Sequence, residues 1–127
     1  MSSSEISRIR NIALLGHSGS GKTLLSEQLL ARTGAKGEPG TIERGDTAGD
    51  FDPLAKQYQH SLDSAIMHFD AGDAKVQLID TAGDPDFRGQ TLSAMSAVET
   101  AAIVVNAAAG IEMSTRRLMR RARQRRL

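Results

Sequence analysis

Gly16-His17-Ser18-Gly19-Ser20-Gly21-Lys22-Thr23 is the stretch that decides how this chain folds, because it matches without a gap the phosphate-binding-loop pattern Gly, four residues, Gly-Lys-Thr. Before it, Asn11-Ile12-Ala13-Leu14-Leu15 is a short apolar run that reads as a buried strand. After it, Leu24, Leu25, Leu29 and Leu30 recur at helical spacing as far as Gly34. The pattern needs strand, loop and helix in that order. A Gly/Ser-rich turn ending in Lys-Thr by chance would need neither flank. The glycines let the backbone approach a polyphosphate closely, so that successive N–H groups and the positive end of the following helix face it. The Lys22 ammonium then bridges β- and γ-oxygens, and the Thr23 hydroxyl is placed to hold a magnesium ion.

Composition narrows the class further. A chain of 127 residues, 39% hydrophobic and 24% charged, is an ordinary globular domain with room for a modest core. Aromatics at 3% offer few stacking platforms, which argues against a single-stranded nucleic-acid binder; no direct DNA binding is expected. With no cysteine, disulfides, thiolate metal sites and Cys nucleophiles are excluded. Met1-Ser2-Ser3-Ser4-Glu5 does not resemble a leader, and no apolar stretch approaches membrane-spanning length, so a cytoplasmic protein without a membrane partner is expected.

Charge is unevenly spread. The net charge is only +1, yet Arg116, Arg117, Arg120, Arg121, Arg123, Arg125 and Arg126 crowd the last residues with no acid among them. They form either a patch that contacts phosphates, those of the ribosome included, or the solvated face of a helix whose apolar positions are Leu118, Met119, Ala122 and Leu127. The solvated face is the preferred reading. The sequence stops within this helical pattern without Gly, Asn or Pro, as a truncated domain would.

Between these ends, Gly34 to Gly49 holds too many breakers for regular structure and reads as a mobile loop. Leu62 to Phe69 reads as a strand, Asp70-Ala71-Gly72-Asp73 as a tight connection and Lys75 to Ile79 as a second strand. So short a link forces the two to be antiparallel. A helix over Gln90 to Thr100 and a buried strand over Ala101 to Val105 follow. The fold class is therefore α/β, a phosphate-loop sheet that is mostly parallel with one antiparallel edge strand, helices on both faces, and ligands at the carboxyl ends of the strands.

Leu78-Ile79-Asp80-Thr81-Ala82-Gly83 supplies a second, independent pattern at the same place. Asp80 stands at the carboxyl end of a buried strand, where it reaches a magnesium ion through a water, and Gly83 suits a backbone N–H donated to a γ-phosphate. A strand-ending Asp alone is also a common turn former; beside a phosphate loop it describes a site that separates triphosphate from diphosphate.

With these residues the chain resembles the G domain of translational GTPases, and within them elongation factor G and its relatives. The resemblance runs through Arg10 to Thr23, Gly49-Asp50-Phe51-Asp52-Pro53, Ile79 to Phe87, and Ile103 to Glu112. It implies GTP and GDP as ligands with Mg2+, hydrolysis of GTP, and the ribosome as partner of the full-length protein. It also implies that residues 1–127 are a partial G domain, truncated before the guanine-reading Asn-Lys-x-Asp element. Position by position, Gly16, His17, Ser18, Gly19, Ser20, Gly21, Lys22 and Thr23 would hold the phosphates. Asp80, Thr81, Ala82, Gly83 and Asp84 would form the second switch. Thr23, Asp80 and, in the first switch at Asp50 to Leu62, Ser61 would serve the metal. Ser61 stands where the family has a Thr, although Tyr58-Gln59 replaces the usual Arg-Gly before it.

Two further departures bear on chemistry. Asp84 stands where a water-positioning His is usual; it can accept a hydrogen bond from water, yet it sets a negative charge beside the γ-phosphate. Asn106 replaces an Asp after the strand that follows. Two other function classes share the phosphate loop: an ATP-using phosphoryl-transfer enzyme, disfavoured by Asp80-Thr81-Ala82-Gly83, and a non-hydrolysing nucleotide-dependent interaction module, favoured by Asp84. His17 reads as loop surface more than as an acid–base group, His60 and His68 as ordinary strand residues, and Asp46, Asp50 and Asp52 as a solvated loop more than a cation site.

Overall fold

The computed structural model describes residues 3–49, 64–83 and 88–127. A single helical turn, α1 (Ser3–Ile6), precedes β1 (Ile9–Leu15). The phosphate-loop residues lead into α2 (Lys22–Arg32). A hairpin of β2 (Ala65–Ala71) and β3 (Ala74–Asp80) follows, then α3 (Arg88–Ser96), β4 (Thr100–Ile103) and α4 (Met113–Gln124). The four strands form one sheet in the order β2-β3-β1-β4. β1 is parallel to both neighbours, and only the edge pair β2–β3 is antiparallel.

Alternation along β1 explains how helices come to lie on both faces. Leu14 joins a cluster with Leu30 of α2, Met67 and Phe69 of β2, and Val76 and Leu78 of β3. Ala13 and Leu15, its neighbours in sequence, point the other way and pack with Ile79 and with Ala94 and Met95 of α3; Leu118 of α4 and Leu127 lie against the same cluster. A strand whose successive side chains must both be buried has no polar face, which is why the second half of β1, Ile12 to Leu15, is a continuous apolar run while Arg10 before it is exposed.

Several boundaries differ from the sequence reading, each for a local reason. The strand read from Leu62 begins at Ala65 among the described residues and runs on to Ala71, so the turn shrinks to Gly72-Asp73, with Gly72 at φ 60°. The helix read to Thr100 ends at Ser96. Beyond it the Glu99 carboxylate accepts hydrogen bonds from the Asn11 backbone N–H (2.7 Å) and side-chain amide (3.0 Å), drawing the chain straight onto β1. α4 does end within the sequence: Arg126 takes a left-handed φ of 60°, its N–H bonds to Arg123 O, and the Leu127 N–H bonds to Ala122 O. This is the closing turn that Gly normally supplies. Met119, read as apolar core, is 49% exposed, whereas Leu118 and Ala122 face inward as expected.

Candidate functional site

Because β1, β3 and β4 are parallel, their carboxyl ends lie side by side. Leu14 is in register with Asp80, and Leu15 with Ile103. The three segments leaving those ends therefore converge, and those after β1 and β3 carry residues that the sequence assigned to one site.

The first segment curls around its own lysine. Lys22 is 6% exposed, and its Nζ donates to Gly16 O (3.1 Å) and His17 O (3.0 Å). The Ser20 N–H closes the curve onto His17 O. Gly21, at φ 96°, caps α2, so the first free N–H groups of that helix point into the loop. Burial lowers the Lys22 pKa against the opposing pull of the Asp80 charge.

From the second segment, Asp80 is buried beside this loop. Its Oδ2 accepts a hydrogen bond from Thr23 Oγ1 at 2.7 Å, and its Oδ1 is buried with no partner among the described residues. Burial pushes the Asp80 carboxyl above its ordinary range, outweighing the Thr23 hydrogen bond and the Lys22 charge. Thr81 fixes the exit from β3 by donating its hydroxyl to Leu14 O at 2.7 Å. Ala82 is buried, and Gly83 lies so close to the loop that a Cβ there would sit 2.6 Å from both Lys22 Nζ and Ser18 N. Only glycine lets the second pattern approach the first this closely.

The third segment adds Asn106. Its Oδ1 accepts the N–H groups of Ala108 (2.8 Å) and Ala109 (3.1 Å), leaving the amide to donate to Gly19 O at 3.3 Å. The substitution of Asn for Asp thus provides a donor that a carboxylate lacks. His17 donates Nδ1–H to Ser18 O (2.6 Å) and holds Nε2 3.8 Å from Glu112 Oε1 at the start of α4. A cavity of about 510 Å³ opens between loop and helix, lined by His17, Gly83, Glu112, Arg117 and Arg121 among others.

Gly16 to Thr23 and Asp80 to Gly83 are therefore brought together. Asp84 and Ser61 lie outside the described residues, as do His60, Asp50 and Asp52. Asp46 is no ligand. It accepts the Thr41 N–H (2.7 Å) and pairs with Arg44 Nε (3.1 Å), and no cluster of three or more His, Cys, Asp or Glu able to hold a metal occurs among the described residues.

Sequence reasoning missed the buried face of α2. Leu24 and Leu25 are 51% and 40% exposed, whereas Lys22, Ser26, Glu27 and Leu30 are buried. Glu27 explains the choice. Its Oε2 accepts Lys36 Nζ and Gly40 N–H, each at 2.6 Å, and its Oε1 accepts Ala48 N–H at 2.5 Å. Burial would raise this carboxyl, but the Ala48, Lys36 and Gly40 hydrogen bonds prevail and hold it below its ordinary value. Residues 34–49 form no helix or strand, as expected, yet this loop is pinned to α2 at three points. An acid bracketed by leucines was the signal available.

Fold and site together define a phosphate-loop nucleotide-binding domain. Residues 7–127 match the model of the elongation factor Tu GTP binding domain, and the chain belongs to that family, a translational GTPase G domain. It is 40% identical over 114 residues to an oxytetracycline resistance protein of Streptomyces rimosus, covering 90% of this chain and 17% of that one. It is 36% identical over 118 residues to peptide chain release factor 3 of Lactococcus lactis subsp. cremoris (strain SK11), covering 90% and 23%. A solved structure from Thermus thermophilus superposes with a TM-score of 0.88 at 38% identity, over 92% of this chain and 18% of that one. The bacterial selenocysteine-specific elongation factor EF-Sec, at 22% identity over 90% of this chain and 17% of that one, shares the fold with a TM-score of 0.68. The chain spans about a fifth of the length of the curated relatives it matches. No helix among the described residues is long and apolar enough to cross a membrane.

Proposed function

We propose that residues 1–127 are the first part of the G domain of a cytoplasmic elongation-factor-G-like protein that binds GTP with Mg2+ and hydrolyses it in its full-length form on the ribosome. The observation that carries this is the meeting of Thr23 with Asp80 beside Lys22 and Gly83. One hydroxyl, one carboxylate, one ammonium and a close backbone approach are gathered at a helix N-terminus.

These residues fit magnesium. The ion favours oxygen ligands, keeps several waters and is commonly shared between one or two protein oxygens and phosphate. Thr23 Oγ1 is the oxygen to hold it directly, and Asp80, with its buried unpartnered Oδ1, would hold an ion-bound water. When bound, the metal would supply charge neutralisation for the phosphates. The chain's own residues would position: Lys22 would answer phosphate charge, the Gly83 N–H would serve the γ-phosphate, and the Gly16–Gly21 backbone N–H groups would hold the β-phosphate. Ser61 is assigned to the first switch on sequence alone, and Asp84 to the place from which water is oriented.

The test is direct comparison of GTP, GDP and ATP binding with and without Mg2+ in the full-length protein, followed by ribosome-stimulated turnover. Magnesium-dependent GTP binding with turnover supports the reading, and a preference for ATP overturns it. Asp84→His separates the two remaining forms. A rise in kcat of tenfold or more, about 1.4 kcal/mol of barrier, marks a slow GTPase whose output is its bound state. Loss of turnover marks Asp84 itself as the water-orienting group.

A further inference from the structure

We infer that Arg116, Arg120 and Arg123 of α4 form a docking stripe for the phosphate backbone of a double-helical RNA. The inference rests on the reading of this chain as part of a translation factor, but not on the nucleotide site itself.

Helical geometry sorts the arginines of α4 by task. Thr115, Leu118 and Ala122 face the core, so the helix has its apolar side already packed against the sheet and α3. Arg117 and Arg121 line the cavity beside the phosphate loop, and Arg125 donates to Leu92 O (3.3 Å) and to Ser96 Oγ. Arg126 sits in the closing turn beyond the helix, so within α4 Arg116, Arg120 and Arg123 remain, four and three residues apart, which places them one above another on a single exposed flank over two turns. Their side chains form no ion pair or hydrogen bond with any other described residue, and no acid lies between Met113 and Leu127 to neutralise them.

Three guanidinium groups spaced by a helical turn and unshielded by carboxylates favour an extended polyanion, which they can grip two oxygens at a time. The absence of aromatic side chains from α4 removes the stacking that single-stranded RNA requires. A membrane surface is a poor fit because a basic helix lies in one by burying a continuous apolar side, and here Leu118 and Ala122 are packed in the protein, leaving only Met113 and Met119 outside. The regular phosphates of an RNA duplex, recognised by shape and charge, fit all three conditions.

The experiment compares the full-length protein with its Arg116→Gln/Arg120→Gln/Arg123→Gln variant for binding to a double-stranded RNA hairpin over a range of salt. In the variant the slope of log K against log salt falls by about 2–3, near one per lost phosphate contact, while affinity for GTP is unchanged. A triple Arg→Lys variant keeps most of the slope. An unchanged slope overturns the proposal, and so does retained RNA binding with loss of polyglutamate binding, which would make the stripe a protein contact. Should the triple variant fold poorly, Arg120→Gln alone decides, by a slope change of about one or by none. If the unaltered protein fails to bind GTP, the proposed function fails while the RNA result stands by itself.

Discussion

Thr23 and Asp80 are 57 residues apart in sequence and joined by a hydrogen bond of 2.7 Å in the fold. The bond links the first turn of the phosphate-loop helix to the end of the neighbouring parallel strand. The two halves of the proposed metal site are therefore held together by the chain's own hydrogen bonding.

Thr23→Ala removes the hydroxyl and leaves Asp80 Oδ2 without its donor, and Lys22→Ala removes the ammonium held within the loop. Each is expected to weaken magnesium-dependent GTP binding by roughly 10- to 100-fold, the value of one charge-assisted hydrogen bond. Thr23→Ser keeps the hydroxyl and most of the affinity. Titration with a fluorescent GTP analogue, with and without a chelator, checks the series; equal affinities in all three variants and the parent would contradict the assigned roles.

Asp80→Asn separates stability from binding. The folded carboxyl is held above its ordinary pKa of 3.8, so its charge disfavours the nucleotide-free fold most at neutral pH, and that cost fades as the pH falls through the raised value. The Asn variant should melt higher than the parent at pH 7, lose this advantage on acidification, and show no gain in Tm from GTP with Mg2+. Thermal melts across pH 4–8, an interval of about four units around the carboxylate range, measure all three.

Glu27 titrates in the opposite sense. Its folded pKa lies below the ordinary 4.5, so its contribution is present above that value and is lost as the pH falls through the depressed one. Glu27→Gln replaces an acceptor of three hydrogen bonds by a group that must aim an N–H₂ at a donor. The expected loss is about 3–5 kcal/mol, as for breaking other buried charge networks, with the acid limb of the stability profile flattened. Urea unfolding at pH 7 and near pH 4 tests both; a loss below about 1 kcal/mol would mean that the loop holds without it.

Asn106→Asp should weaken GTP binding about fivefold, near 1 kcal/mol, because a carboxylate would face Gly19 O where the amide now donates. Asn106→Ser, which can still donate but reaches less far, should fall between. Calorimetric titration of the three proteins settles the order.

The contrast between Asp80 and Glu27 shows what was legible in the sequence. Asp80 was readable because its role is fixed by chain order: a buried strand, an acid at its end, a glycine three residues on, and a phosphate loop upstream. Glu27 depends on donors from Lys36, Gly40 and Ala48, which only the folded loop brings together. The same holds for α2. Leucine spacing pointed to Leu24 and Leu25, but the helix must aim Lys22 and Thr23 at the site, and those positions dictate which face is buried. That the sheet is mostly parallel with one antiparallel edge pair followed from the motifs and the short link between β2 and β3, whereas the strand order is seen only in the fold. The helix ends did not, because Arg126 closes α4 in a conformation that sequence assigns to Gly.

The Gly72-Asp73 turn lies at the amino-terminal end of β3, at the opposite pole from Asp80. It is exposed and confined to two residues. A fluorophore or affinity handle attached at Asp73 would stand about 20 Å from the nucleotide pole, the length of a seven-residue strand, and would share no hydrogen bond with it. The molecule therefore has a side by which it can be held while its chemistry is watched.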